Sequence, residues 1–310
     1  MLTLAIDYGM GNTKFIFKFN NKIYKRTFES RVSYNESFNG YTTIINTKAY
    51  AFGEGRFAVD LGHNTKDAEI HRLLMYKAMI EAYKETKITE FNLAVTCSLD
   101  SYKVDRGASV RAFMSEIKEI EFEEENHKAI LKINQITCYP ECLVGALTTD
   151  LKLKKEDVVV VDIGTKNFQL LRILLGVPDI ETSFSTKYGC DLIYESISDN
   201  LKVLNIGLDT PDAVKLYLTR TSDNTFDKIN NVESMIIDFL ENNIFYSIDK
   251  KLNTLGLNMF TKFVFLGGGA IYLQRFLDAK YNISEKASFV KDPFYANAIG
   301  LYKKAVKIYE

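Results

Sequence analysis

Two segments of the chain place a carboxylate at the end of an apolar run and a glycine two residues later. Asp7-Tyr8-Gly9 follows the run 2–6, and Asp162-Ile163-Gly164-Thr165 follows four consecutive valines at 158–161. An ionised Asp at a strand end suits Mg2+, which takes oxygen ligands and keeps most of its waters. Backbone N–H groups of a tight turn point into the hairpin mouth and can hold phosphate oxygens. Glycines such as Gly9 and Gly11 let the main chain approach without a Cβ in the way. Lys14 adds a point charge that can lie along a phosphate. Leu266-Gly267-Gly268-Gly269 is a strand-to-helix turn bare of side chains, where a flat base can lie close to a helix N-terminus. Taken singly, each is also what a solvated hairpin or an ordinary tight turn looks like. Together, in this order, they describe two facing hairpins that grip a triphosphate from both sides.

Hydropathy patterning supplies the elements that position these groups. Strands are predicted at 2–6, at 14–19, where Phe15, Phe17 and Phe19 alternate with Ile16 and Lys18, and at 22–28. Asn20-Asn21 serves as a two-residue hairpin link, because Asn tolerates positive φ. Residues 30–64, rich in Asn, Thr, Tyr and Gly, predict a small irregular subdomain. Ile70, Leu73, Leu74, Ala78 and Ala82 predict a helix over 67–86, with Asp67 and Glu69 at the positive end of its dipole. A strand at 92–99, a helix at 106–115 and alternating segments at 117–122 and 128–136 follow. The acidic cluster Glu116, Glu119, Glu121, Glu123, Glu124 and Glu125 reads as a solvated hairpin tip, with a metal or partner site as the alternative.

The second half opens as the first does. The valine run is what a strand buried on both faces looks like, and 168–175 returns beside it. Helices at 191–204, 211–218 and 232–255, a strand at 262–266, a helix after the three glycines and a last helix at 293–308 complete the pattern. The echo at Asp7 and Asp162 predicts two related α/β domains. The first is 1–150, with a small subdomain around 30–65 and the helix at about 293–310 packing back on it. The second is 151–292, with a helical subdomain around 195–260.

Composition narrows the function. The chain has 310 residues, 46% hydrophobic and 25% charged, enough for two cores. Lys and Arg number 39 against 40 Asp and Glu, with no basic arm, which argues against direct binding to nucleic acid. The apolar run before Asp7 is too short for a signal-peptide core, and no stretch reaches the length of a membrane span. Cys97, Cys138, Cys142 and Cys190 lack a zinc-like spacing with His and read as reduced thiols. A cytoplasmic protein with no membrane contact is expected.

The segments LAIDYGMGNTK (4–14), CYPECLVGA (138–146), VVVVDIGTKN (158–167), KYGCDLIYESI (187–197), FVFLGGGA (263–270) and PFYANAIGLY (293–302) resemble the superfamily of ATPases that includes actin, the heat-shock chaperones and sugar kinases. Within it they are most similar to bacterial plasmid-segregation actins of the ParM/StbA type, on the short length and Pro140-Glu141. The resemblance implies two RNase H-like α/β domains around a nucleotide cleft, each with a smaller peripheral subdomain. It implies that Asp7 and Asp162 hold Mg2+ through its waters. Gly9, Met10, Gly11, Asn12, Gly164, Thr165, Lys166 and Asn167 would line the β- and γ-phosphates, with Lys14 beside them. Glu141 would orient or activate the attacking water, with Asp162 as the second catalytic carboxylate. Gly189, Gly267, Gly268 and Gly269 would flank the nucleoside. Asn297 and Gly300 match the inter-domain helix.

Two positions depart from the family pattern. Met10 stands where a Ser or other small polar residue is usual, leaving backbone N–H groups to hold the γ-phosphate. Lys166 stands where Gly or Thr is common, and it either adds charge near the phosphates or points to solvent. Glu141 has an alternative role as cap of a helix starting near Pro140. By resemblance, the chain is an ATPase, with GTP as the alternative nucleotide, that polymerises head to tail with nucleotide and Mg2+. Hydrolysis would weaken the filament, which would move plasmid DNA through a ParR-type adaptor bound at a centromere-like site. Two alternatives are a pantothenate- or sugar-kinase-like enzyme and a non-polymerising scaffold. The first needs a further catalytic Asp that is not evident, and the second a membrane-binding terminal helix for which 300–310 shows little apolar face.

Overall fold

The computed structural model describes residues 1–34, 42–53, 56–57, 69–186, 189–203, 232–254, 261–281 and 287–310. These belong to two compact units, Met1–Thr149 with Tyr295–Glu310, and Asp150–Phe294.

In the first unit β1 (Leu2–Tyr8), β2 (Asn12–Phe19) and β3 (Lys22–Glu29) form an antiparallel meander. Every residue of β1 is buried. Asn20 and Asn21 both take positive φ, 49° and 61°, the paired left-handed turn that matches the twist of the strands it joins. Between residues 31 and 57 lie four short strands, β4 (Arg31–Ser33), β5 (Thr43–Ile45), β6 (Lys48–Phe52) and β7 (Arg56–Phe57). The described residues of the irregular subdomain expected here therefore pair as short antiparallel strands. Strands of two or three residues are too short for an alternating pattern to register in the sequence.

Helix α1 (Glu69–Thr86) is buried on nearly every side through Ile70–Tyr76; Asp67, placed in this helix by its pattern, lies outside the described residues. Strand β8 (Glu90–Cys97) runs parallel to β1. A helix absent from the sequence reading follows, α2 (Leu99–Asp105), whose N-cap Ser98 accepts a hydrogen bond from the Ser101 N–H. Left-handed residues Arg106 and Gly107, at φ 57° and 77°, break the chain, so the helix expected from 106 starts two residues later as α3 (Ala108–Ser115). Strands β9 (Glu119–Glu124) and β10 (His127–Pro140) form a hairpin, and β10 lies parallel to β8. The sheet order is β3-β2-β1-β8-β10-β9-β5-β6-β4-β7.

The acidic cluster is not uniformly solvated. Along β9 the alternation leaves Glu119, Glu121 and Glu123 outside but turns Glu124 inward. Its carboxylate accepts hydrogen bonds from Thr43 Oγ1 at 2.5 Å, from Lys77 Nζ at 2.7 Å and from Lys84 Nζ. Burial opposes ionisation, but the Lys77 charge and the three sets of hydrogen bonds outweigh it and hold this carboxyl below the ordinary carboxylate range.

The second unit repeats the core of the first. Strands β11 (Asp157–Ile163), β12 (Phe168–Leu174) and β13 (Val177–Ser185) form an antiparallel meander, and β14 (Lys262–Leu266) and β15 (Ala287–Phe289) continue from β11 in parallel. The order β13-β12-β11-β14-β15 matches β3-β2-β1-β8-β10 in both sequence and direction. Strand β13 was hidden in the sequence because it is polar and carries Pro178, which only an edge strand tolerates. Helix α5 (Cys190–Val203) follows, and the helix expected at 232–255 is α6 (Val232–Phe239), a π-helical turn at Leu240–Phe245 and α7 (Tyr246–Thr254). The helix expected at 211–218 lies outside the described residues. After β14 comes α8 (Gly268–Tyr281).

The chain then returns to the first unit as α9 (Ala296–Tyr309). Ala298, Leu301, Tyr302 and Ala305 of α9 pack on Ala5, Ile16 and Ala94 of the sheet and on Val144. All four cysteines are buried, and none forms a disulfide. Among the described residues no helix is long and apolar enough to cross a membrane.

Candidate functional site

Within the first unit, the parallel strands β1, β8 and β10 end on one edge at Tyr8, Cys97 and Pro140. Ligands of open α/β sheets bind at such carboxyl ends. Asp7 lies directly across from Lys14 of β2 in the antiparallel register, and Lys14 Nζ donates to Asp7 Oδ2 at 3.2 Å. On its other side the parallel register pairs Ile6 with Val95. One step further along, Thr96 Oγ1 donates to Asp7 Oδ1 at 3.0 Å. The carboxylate is 1% exposed, so its orientation is fixed by groups on both flanking strands.

Residues Gly9, Met10, Gly11 and Asn12 form the turn itself, and Ser30 buttresses it. The Ser30 N–H donates to the Gly11 carbonyl at 3.0 Å and its hydroxyl to the Gly9 carbonyl at 2.6 Å. That hydroxyl has one proton, so in the 2.9 Å contact with Thr13 Oγ1 it is the threonine that donates. A Cβ at Gly9 would come within 3.0 Å of the Asn12 carbonyl oxygen and 3.2 Å of Lys14 Nζ.

Glu141 follows β10 directly and is 8% exposed. Its N–H donates to the Cys97 carbonyl at 2.9 Å, which ties it to the end of β8. The helix expected near Pro140 is shorter and later: Pro140 closes β10, and α4 (Leu143–Ala146) is capped by Cys142 without a side-chain hydrogen bond. Glu141 is therefore not its cap. Tyr8 is buried and stacks on His71 at 5.5 Å. Its phenol is pushed well up by burial and then by Cys138, Cys97, Glu141 and Asp7, so Asp7 and Glu141 both lie within electrostatic reach of one side chain.

In the second unit β11 pairs in parallel with β14, Asp162 beside Leu266, so the Asp162 turn and the three glycines share one edge. The turn closes with the Gly164 N–H donating to the Asn167 carbonyl at 2.9 Å. The start of α5 docks on it: Cys190 N–H donates to the Gly164 carbonyl at 3.1 Å and Asp191 N–H to the Thr165 carbonyl at 2.8 Å. Lys166 is half-buried and forms an ion pair with Asp191 at 2.6 Å. Asn167 Nδ2 reaches Ser185 Oγ of β13 at 3.3 Å.

The glycines of this unit have a packing reason of their own. A Cβ at Gly189 would overlap Thr165, Lys166 and Asn167 main-chain atoms. One at Gly267, where φ is +89°, would overlap the Asp162 carboxylate and the Ile163 carbonyl, and one at Gly269 would overlap Cys190 and Ile163. Of these four glycines, Gly268 alone has room, with the Phe294 ring at 3.4 Å. In the first unit Gly300 of α9 meets the Val144 carbonyl of α4, where no side chain fits, and Asn297 is buried in the first turn of α9.

The residues present suit a magnesium polyphosphate. Each turn offers one buried carboxylate, and among the described residues no three His, Cys, Asp or Glu form a metal-binding group. That sparse oxygen donor set leaves room for the waters and phosphates that Mg2+ prefers over an all-protein cage. Ser30, Thr96 and Asp191, absent from the sequence reading, hold the turns in place. Thr96 carries no motif, and only the strand register reveals it.

Residues 5–143 match the family described as actin like proteins N terminal domain. Residues 160–279 match archaeal actin homologue MreB-like, C-terminal. No curated protein matches the sequence. Among solved structures, the archaeal actin homologue Ta0583 in complex with ADP is 18% identical with a TM-score of 0.76, over 99% of this chain and 100% of that one. The apo psk41 ParM protein is 15% identical with a TM-score of 0.69, over 99% and 97%. AlfA from B. subtilis plasmid pLS32, solved as a filament, is 20% identical with a TM-score of 0.65, over 98% and 99%. The two halves match actin-related families in chain order, and with these structural neighbours the chain has an actin-like fold.

Proposed function

We propose that the protein is a nucleotide-dependent, filament-forming ATPase of the ParM type that segregates plasmid DNA through an adaptor. The observation that carries this reading is the recurrence of one device in both units: a buried Asp at the end of a parallel strand, closed by a glycine turn. In this reading residues 1–150 with about 293–310 form one nucleotide-binding domain and 151–292 the other.

Asp7 and Asp162 hold Mg2+ through its water shell, and the main-chain N–H groups of 9–12 and 165–167, in the turn that Gly164 closes, hold the β- and γ-phosphates of ATP or GTP. Bound Mg2+ supplies charge neutralisation at the phosphates. Lys14, already facing Asp7, adds a cation there. With Met10 unable to hydrogen-bond through its side chain, the main chain carries γ-phosphate recognition in the first turn. Gly268, the glycine with space above it, lies against the nucleoside, with Gly189, Gly267 and Gly269 shaping the floor around it. Glu141, fastened to the end of β8, accepts a proton from the attacking water, a role that contributes about 10²–10⁴-fold.

A head-to-tail contact that does not close on itself generates a filament, and relatives solved as filaments support that state. The near balance of 39 basic and 40 acidic side chains favours a link to DNA through an adaptor over direct contact. Light scattering and pelleting with Mg2+ and either ATP or GTP test the reading. Wild-type protein is expected to polymerise and then disassemble. Glu141→Ala is expected to polymerise but to release phosphate at least a hundredfold more slowly, at about the lower limit for loss of a general base. Absence of polymer with both nucleotides, or unchanged phosphate release in the variant, overturns it.

A further inference from the structure

Asp7 is the end of a chain of positioning contacts, and one of its partners has no role in any motif. Thr96 is fully buried in β8, and its hydroxyl donates to Asp7 Oδ1 at 3.0 Å while Lys14 holds Oδ2 at 3.2 Å. The placement follows from the sheet. β1 and β8 are parallel, with Leu2 beside Phe91 through Ile6 beside Val95, and in-register residues of parallel strands project to the same face. The next pair in that series is Asp7 and Thr96. A valine there would serve the strand equally well, since both residues are β-branched and of similar size. What the hydroxyl adds is hydrogen bonding, and its one proton goes to the carboxylate.

We infer that Thr96 is a positioning residue for magnesium: it fixes the Asp7 carboxylate so that the metal's waters meet it in one orientation. The inference rests on the reading of Asp7 as a magnesium residue. Such outer partners of metal-binding groups hold the group's orientation, and losing one typically costs about 10- to 100-fold in metal affinity.

The test is a magnesium titration of fluorescent adenine and guanine nucleotide binding to the full chain, alongside melting of the nucleotide-free protein. Thr96→Val is expected to raise the half-saturating Mg2+ concentration by about tenfold or more. Its binding in EDTA is expected to match wild type, while its nucleotide-free melting temperature falls modestly because the buried carboxylate loses a hydrogen bond. Thr96→Ser, which keeps the hydroxyl, is expected to restore the wild-type titration. Should the valine variant fail to fold, Thr96→Ser and Thr96→Ala make the same comparison, with only the alanine shifted. An unshifted titration in the variants lacking the hydroxyl overturns the inference while leaving the Asp7 reading intact. Equal loss of binding with and without Mg2+ also overturns it, as a purely structural effect. If wild type and Asp7→Ala respond alike to Mg2+, the reading of Asp7 falls and the inference with it.

Discussion

Around Asp7 the turn is fastened by side chains, Lys14 and Thr96 on the carboxylate and Ser30 on the carbonyls of Gly9 and Gly11. Around Asp162 main-chain ties dominate, α5 N–H groups on Gly164 and Thr165 and glycines where two stretches of backbone meet, with Lys166–Asp191 and Asn167–Ser185 side-chain contacts beside them. The strand order beneath the two turns is the same. One topology thus builds the same device in two ways, with opposite tolerances. A side-chain buttress is sensitive to a lost hydroxyl and forgiving of an added methyl; a backbone contact is the reverse.

The largest expected effect lies at the glycines. Gly189→Ala drives a Cβ to 2.5 Å from the Lys166 carbonyl carbon and 2.6 Å from the Asn167 nitrogen, atoms that cannot swing aside. Calorimetric melting is expected to show a loss of about 3 kcal/mol. Gly9→Ala meets its nearest atoms at 3.0 and 3.2 Å, one of them the flexible end of Lys14, and about 1 kcal/mol is expected. Equal losses at the two positions would break the comparison.

Ser30→Ala comes next. It removes the hydroxyl bond to the Gly9 carbonyl and strands the Thr13 hydroxyl in a buried place, for a loss of about 1–2 kcal/mol. Its sharper consequence is local: amide hydrogen exchange is expected to quicken at 9–13 and to stay unchanged at 164–167. Faster exchange in both turns would contradict independent fastening.

The smallest effect is expected for Lys166→Met. The Lys166–Asp191 pair is short but its side chains are 30% and 21% exposed, and a partly exposed pair is worth about 0.5 kcal/mol. The difference from wild type is expected to shrink in 1 M salt. A loss as large as that at Gly189 would mean that the second turn also depends on a side-chain tie.

The strands and glycine turns were legible in the sequence because they carry strong local signals. Val158–Val161 is the β-branched run expected of a buried strand, and Asn20-Asn21 tolerates the positive φ of a tight link between two others. What was hidden depends on partners distant in the chain. Thr96 looks like any strand threonine until β8 lies beside β1. Ser30 looks like a loop residue until β3 brings it back over Gly9. Glu124 reads as one of six similar acids, and only the pleat of β9 distinguishes it. Strand β13 was masked by Pro178, a residue that argues against a central strand but not against an edge. Gly189, Gly267 and Gly269 were found by type, yet the contacts that exclude a side chain there are with the protein itself.

The central proposal is that each aspartate turn takes part in magnesium-dependent nucleotide binding. Isothermal titration calorimetry of ATP and GTP with and without Mg2+ tests it most directly, on wild type, Asp7→Ala and Asp162→Ala. The account predicts that at least one nucleotide binds the wild type more tightly with Mg2+ and that each substitution abolishes the magnesium-dependent gain. No binding of either nucleotide to the wild type, or a gain that survives either substitution, would contradict it.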